Sequence, residues 1–150
     1  MVIYEMIRDM PLFDAFSERE KKGFAKMDHV LQEYSSGQMI LREKEVSTGL
    51  YLLLKGNCLV TRDQDEKTIR LAKLAPGELF GEMSMVSNLP RRSSVVASND
   101  VLTLKMDREF FDKVHPKVAN KVQNYIIALL CTRLDKMNEA IMRISNLMHP

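Results

Sequence analysis

The stretch FGEMSMVSNLPRRSS, residues 80–94, combines one carboxylate with two adjacent arginines in a short segment that is otherwise uncharged. Gly81 permits a turn that a β-carbon would hinder, and it exposes the backbone N–H groups around it. The residues from Glu82 to Val86 predict one helical turn, whose N–H groups would face an anion. The segment therefore suits a ligand that is anionic at one end and carries hydroxyl groups at the other, such as a small phosphorylated sugar.

Two side chains of this stretch carry the predicted chemistry. The Arg91 guanidinium offers a planar fork that matches two phosphate oxygens, and Glu82 can accept hydrogen bonds from a ribose hydroxyl. Two structural alternatives need no ligand: Glu82 pairs with Arg91, or Arg91 and Arg92 form a solvated face. The residues alone leave these interpretations open.

The sequence around this stretch predicts a small β domain between residues 29 and 106. Turn signals separate many short apolar or β-branched runs, which is typical of a barrel, roll or sandwich. Residues 69–74 alternate between apolar and polar side chains and predict a half-buried strand. The predicted strands are 39–41, 50–54, 58–61, 69–74, 94–97 and 101–106.

Helices are predicted on both sides of the β segment. Residues 3–10 and 17–28 read as short helices, and Ser17 with Glu20 forms the pattern of a capping box. At the other end, Asp107 is a good N-cap for a further helix, and Pro116 marks a restart. The side chains expected to be buried in the first region are Phe13, Phe16, Phe24 and Met27.

A long helix is predicted over residues 117–148. Its apolar residues are spaced by alternating gaps of three and four, which is the seam of a heptad repeat. The seam consists of Ile127, Leu130, Leu134, Met137, Ile141, Ile144 and Met148. This regularity favours a helix–helix dimer over a single amphipathic helix lying on its own domain.

The composition narrows the class of protein. The chain has 150 residues, 45% of them hydrophobic and 28% charged, with a formal net charge of +2, so no global charge favours nucleic acid or an anionic membrane. No apolar run approaches the ~18 residues of a membrane span, and no secretion signal is evident, so we expect a cytoplasmic protein.

No residue pattern indicates catalysis or a metal site. Cys58 and Cys131 lack the CxxC spacing of a metal or redox site and are expected to be reduced, structural thiols. The three histidines are scattered, and no nucleophile has a partnering base. We therefore expect a protein that is not an enzyme.

The stretches 77–85 and 90–95 resemble the phosphate-binding cassette of cyclic nucleotide-binding domains. Residues 35–40 resemble the first turn and strand of that family, and residues 49–56 resemble its strand-and-glycine signature. The terminal helix corresponds to the C-helix of the family. The resemblance implies an α+β fold, a β-roll (double-stranded β-helix, jelly-roll-like) with N-terminal helices and a long C-terminal helix. It also implies a single domain over 1–150, divided into 1–28, 29–106 with the cassette at 80–94, and 107–150.

The resemblance implies specific ligand contacts. Glu82 would bind the ribose 2′-hydroxyl and Arg91 the cyclic phosphate, with Gly81, Met83 and Ser93 as close contacts. Some relatives have one more residue between acid and arginine, which would instead select Arg92 for the phosphate and Ser93 as the hydroxyl contact. From the terminal helix, Asn138 would lie near the purine base, beside the seam residue Met137.

The implied ligand is cAMP, with cGMP possible. Relatives that favour cGMP often carry threonine after the phosphate-binding arginine, whereas Arg92 follows Arg91 here. The implied role is a sensor that repositions its C-helix within a homodimer and is read by a downstream protein, with no membrane or nucleic-acid partner for this chain alone. One alternative is a scaffold module with an unoccupied pocket. The other is the ligand-sensing half of a transcription regulator, because transcription factors of this family carry a helix-turn-helix domain after the C-helix. The sequence ends where that domain would begin, which fits either a stand-alone domain or a part of a longer protein.

Overall fold

The computed structural model describes residues 2–27, 31–82 and 89–149. The chain divides into two compact units, Met1–Val114 and His115–Pro150. Within those described residues, the first unit holds three α-helices, one 3₁₀ turn and eight strands, and the second holds one long helix. Among the described helices, none combines the length and apolar character needed to span a bilayer.

The strands of the first unit form two four-stranded antiparallel sheets, in the orders β1-β8-β3-β6 and β2-β7-β4-β5. This is the predicted β-roll, flanked by N-terminal helices and followed in sequence by a long C-terminal helix. The strands are β1 Leu31–Tyr34, β2 Met39–Leu41, β3 Leu50–Lys55, β4 Cys58–Gln64, β5 Lys67–Leu74, β6 Leu79–Phe80, β7 Ser94–Ala97 and β8 Val101–Met106.

The core between the sheets fixes the start of the 80–94 stretch. The rings of Tyr51 on β3 and Phe80 on β6 stack with centroids 5.1 Å apart and are paired in register. The same cluster includes Leu53, Cys58 and Val95, so both sheets contribute to it. Because Phe80 is anchored in this way, the position at which Gly81 leaves the sheet is also fixed.

The helices of the first unit are α1 Val2–Ile7, a 3₁₀ turn at Pro11–Phe13, α2 Glu18–Ala25 and α3 Arg108–Lys113. Ser17 and Glu20 form the predicted capping box, and Asp107 caps α3 by accepting from the Phe110 N–H. The first helix ends earlier than predicted because the chain passes into the 3₁₀ turn that begins at Pro11.

The prediction of a half-buried strand at 69–74 is wrong. Strand β5 is exposed at every residue except Leu74, with Ile69 at 40% and Leu71 at 52% exposure. It lies at the edge of its sheet, and a register shift opposite Val60 and Thr61 leaves Leu71 as an extra residue. Alternation separates two faces of a strand, but a second layer must cover the apolar face before it is buried.

The second unit consists of helix α4, Pro116–Met148, close to the predicted 117–148. Pro116 stands at its first position, and His115 caps it by accepting a hydrogen bond from the Lys117 N–H at its Nδ1. Of the heptad seam, Leu130 is half-buried and the other six side chains are 57% to 70% exposed in the single chain.

The two cysteines should differ in reactivity. Cys58 on β4 is buried, Cys131 on α4 is exposed, and burial raises the pKa of the Cys58 thiol to about 11. We therefore expect iodoacetamide at neutral pH to alkylate Cys131 in the folded protein and Cys58 only after unfolding, because the thiolate is the reactive form. Mass spectrometry of the labelled peptides measures both sites.

The same shift predicts a pH dependence of stability. Since the folded pKa of Cys58 lies above its ordinary value of 9.0, its contribution to the free energy of unfolding is complete below pH 9 and declines as the pH rises towards about 11. A Cys58 that is labelled as quickly as Cys131 in the folded protein would contradict both expectations.

Candidate functional site

Gly81 and Glu82 form the first part of the site. Directly after β6, Gly81 adopts a positive φ of +81°, and the following Glu82 is buried, with 7% of its surface exposed. The turn thus holds a carboxylate that is largely removed from water, where its charge must be stabilised by hydrogen-bond donors. Met83 and the rest of the predicted helical turn after Glu82 lie outside the described residues.

Arg91 forms the second part and is also buried, at 8% exposure. Its guanidinium donates three hydrogen bonds: Nε to the Ser47 Oγ at 3.0 Å, Nη1 to the Gly81 carbonyl at 3.0 Å and Nη2 to the Gly49 carbonyl at 3.1 Å. Burial lowers the pKa of Arg91 from its ordinary value, and nearby Tyr51 opposes that shift. The group stays charged, because arginine does not deprotonate in proteins.

The loop between β2 and β3, residues 42–49, also holds the backbone of Arg91. The Lys44 N–H donates to the Arg91 carbonyl at 2.8 Å, and the Arg91 N–H donates to the Glu45 carbonyl at 2.8 Å. One loop therefore fixes both the main chain and the side chain of this arginine.

Arg92 and Ser93 are placed differently. Arg92 is exposed and Ser93 is half-buried. The Arg92 carbonyl accepts a hydrogen bond from the Arg62 Nε at 2.9 Å, which ties this segment to β4. The guanidinium of Arg91 donates a hydrogen bond to the Gly81 carbonyl. Because Arg91 is buried, the alternative in which Arg91 and Arg92 form a solvated face is wrong.

Two members of this arrangement, Ser47 and Gly49, were not predicted from the sequence as contacts of Arg91. Ser47 was assigned no role, and Gly49 was considered only as part of the strand-and-glycine signature at 49–56, yet the Gly49 carbonyl accepts a hydrogen bond from Arg91. Both lie more than 40 positions from Arg91 in sequence, so no local pattern connects them. The short polar segment before the apolar run of β3 is the one signal that marks the loop.

Asn138 lies on α4 and is exposed. It belongs to the second compact unit, whereas Glu82 and Arg91 belong to the first, so its contact with a purine base stays a prediction. Within the parts of the chain that the structure describes, no three His, Cys, Asp or Glu side chains cluster so as to bind a metal ion.

The chain belongs to the cyclic nucleotide-binding domain family. The family model matches residues 31–117, which are more than half of the chain. It is 28% identical over 111 residues to the cAMP-dependent protein kinase type II regulatory subunit of Drosophila melanogaster, an alignment that covers 73% of this chain and 29% of that protein. In this and other matches to regulatory subunits of the cAMP-dependent protein kinase, the alignment spans less than a third of the relative's length.

The fold is shared with solved structures, among them two that are similar to this chain over most of its length. The catabolite activator protein of Thermus thermophilus is 29% identical, with a TM-score of 0.77 over 90% of this chain and 63% of that one. A cyclic nucleotide-binding domain from Methylobacillus flagellatus is 27% identical, with a TM-score of 0.76 over 94% of this chain and 81% of that one. The family and fold predicted from the sequence are confirmed.

Replacing Gly81 by alanine should disturb the site. An added β-carbon would lie 2.9 Å from the Gly49 carbonyl oxygen and 3.0 Å from Arg91 Nη1, at a φ of +81° that favours glycine. We expect Gly81→Ala to lower the free energy of unfolding by roughly 1–3 kcal/mol, measured by urea denaturation.

Gly23 on helix α2 provides the matched control. A β-carbon there meets nothing within 4 Å, so Gly23→Ala should raise the free energy of unfolding by roughly 0.5–1 kcal/mol through the higher helix propensity of alanine. Equal stability of Gly81→Ala and the wild type would show that the close approach at Gly81 relaxes at no cost.

Proposed function

We propose that this domain binds a cyclic nucleotide, cAMP in the first instance, and acts as a regulatory domain without catalysis of its own. Family membership supplies the class of ligand. The observation that carries the proposal for this chain is the buried Arg91 guanidinium, fixed by three hydrogen bonds beside the turn that holds the buried Glu82.

The two side chains suit the two ends of a ribose cyclic phosphate. The second hydrogens on Nη1 and Nη2 of Arg91, which the bonds to Gly81 and Gly49 do not use, would bind the phosphate oxygens. Glu82 would accept from the ribose 2′-hydroxyl and would repel a phosphate at that position. Gly81, Met83 and Ser93 complete the proposed contacts around the ligand, and Asn138 would contact the base.

The structural difference between the arginines supports Arg91 as the phosphate ligand. A charge held in place in a buried setting interacts more strongly with an anion than an exposed one, because water screens the exposed charge. Arg92, being exposed, stands where relatives that favour cGMP often carry threonine. We therefore propose cAMP ahead of cGMP as the ligand. We also propose that the protein binds this ligand in the cytoplasm.

Arg91 and Glu82 should carry the affinity for cAMP. Since charge-assisted hydrogen bonds contribute about 1.5–3 kcal/mol each, Arg91→Ala should weaken binding by roughly 100-fold or more and Glu82→Ala by roughly 10- to 100-fold. Arg92→Ala is the control and should change the dissociation constant by less than about threefold. Titration calorimetry with cAMP, cGMP and cyclic di-GMP gives the affinities and the order of preference.

Arg91→Lys separates a binding defect from a folding defect, because it keeps the charge but loses the fork. A folded wild type that binds none of the three nucleotides would refute the proposal and favour a scaffold module with an unoccupied pocket. An Arg92→Ala defect as large as that of Arg91→Ala would reassign the phosphate contact to Arg92.

We also propose that α4 forms a homodimer through its heptad seam and that ligand binding repositions this helix. The six exposed seam residues present an apolar stripe, which a second copy of the helix would remove from water. A ligand shifts such an arrangement only by the difference in its affinity for the two states. A downstream protein would respond to the changed helix.

Two charges placed in the seam should abolish the dimer. We expect Leu134→Glu with Ile141→Glu to sediment as a monomer, because four carboxylates would otherwise be buried in the apolar interface. Thr132→Glu with Asn146→Glu, on the opposite side of the helix, adds the same charge and should leave the mass unchanged. A seam variant that keeps the wild-type sedimentation mass would rule out this interface.

A further inference from the structure

The Arg91 guanidinium is oriented by three uncharged acceptors. They are one hydroxyl, on Ser47, and two backbone carbonyls, of Gly49 and Gly81. Neutral oxygens fix the direction of a guanidinium without cancelling its charge, whereas a carboxylate in the same place would pair with it and oppose an incoming phosphate. The arrangement therefore prepares the charge for an anion that comes from outside the protein.

The three bonds also determine which hydrogens face a ligand. Because each bond uses one hydrogen on a different nitrogen of a planar group, Nη1 and Nη2 each keep a second hydrogen in a fixed direction. The bonds to Gly49 and Gly81 involve backbone carbonyls, which a side-chain substitution does not remove. Ser47 supplies the one contact among these three that depends on the identity of a side chain.

We infer that Ser47 is a positioning residue, whose hydroxyl orients Arg91 for the phosphate of the ligand. This inference rests on the proposed function. Ser47 is half-buried, which shields its hydrogen bond in part from water. It is also held close to Arg91, because the same loop makes the two 2.8 Å backbone hydrogen bonds between Lys44, Glu45 and Arg91. The position of the Ser47 hydroxyl relative to Arg91 is therefore fixed, and its hydrogen bond with Nε orients the guanidinium.

The adjacent Thr48 offers a matched control, since it carries a hydroxyl in the same loop but is exposed. We expect Ser47→Ala to weaken cAMP binding by roughly three- to tenfold, the effect of losing one hydrogen bond that orients a charge. Ser47→Thr should restore most of the affinity, and Thr48→Ala should bind like the wild type. Titration calorimetry on the full chain measures all four proteins.

Two further measurements separate positioning from a general effect on the loop. In an Arg91→Lys background, Ser47→Ala should add no further loss, because lysine has no Nε–H to orient. In ligand-free protein, the Nε–H signal of Arg91, assigned by its disappearance in Arg91→Lys, should exchange with water faster in Ser47→Ala but not in Thr48→Ala.

The outcomes distinguish the inference from the function on which it rests. If the wild type binds cAMP and Ser47→Ala binds as tightly as Thr48→Ala, the positioning role is wrong and the proposed function stands. A loss of the same size in the Arg91→Lys background would also overturn it, because Ser47 would then act through the loop and not through Arg91. If the folded wild type binds no cyclic nucleotide, the proposed function itself fails.

Discussion

The burial of a permanently charged guanidinium is the constraint on which the site depends. A charge removed from water destabilises the fold unless its donors are satisfied by well-placed acceptors. For Arg91 those acceptors come from Ser47, Gly49 and Gly81, at 3.0 to 3.1 Å. The loop 42–49, the turn after β6 and the segment before β7 must therefore meet at one point.

The strand order explains why they meet there. Strand β2 pairs with β7 and β3 pairs with β6, so the β2–β3 loop and the β6–β7 connection join the same two places in the roll. Gly81 and Arg91, which lie towards the two ends of the β6–β7 connection, consequently lie beside the β2–β3 loop, although both are far from it in sequence. The stacked rings of Tyr51 and Phe80 fix one end of this arrangement, and the hydrogen bond from the Glu43 N–H to Ser94 Oγ fixes the other.

The sequence predicted those elements whose signals are local. The capping box at Ser17, the cap at Asp107, the break at Pro116 and the heptad seam each involve residues within a few turns of one another, and the structure places helices where they indicated. The exposed strand β5 was mispredicted because burial depends on a second layer, which its own residues do not specify.

The sequence alone was enough to predict the family, the helices at both ends of the chain and six of the eight described strands, β1 and β6 being the two that were missed. It also singled out Glu82 and an arginine as the candidate ligand-binding groups. Spacing along the chain left Arg91 and Arg92 as alternatives. In the folded chain Arg91 is buried and Arg92 is exposed, and the Ser47 hydroxyl lies within hydrogen-bond distance of the Arg91 guanidinium. The burial and the hydrogen bonds of a side chain depend on the segments that surround it in space. Those segments are far apart in the sequence, and the pairing of strands brings them together.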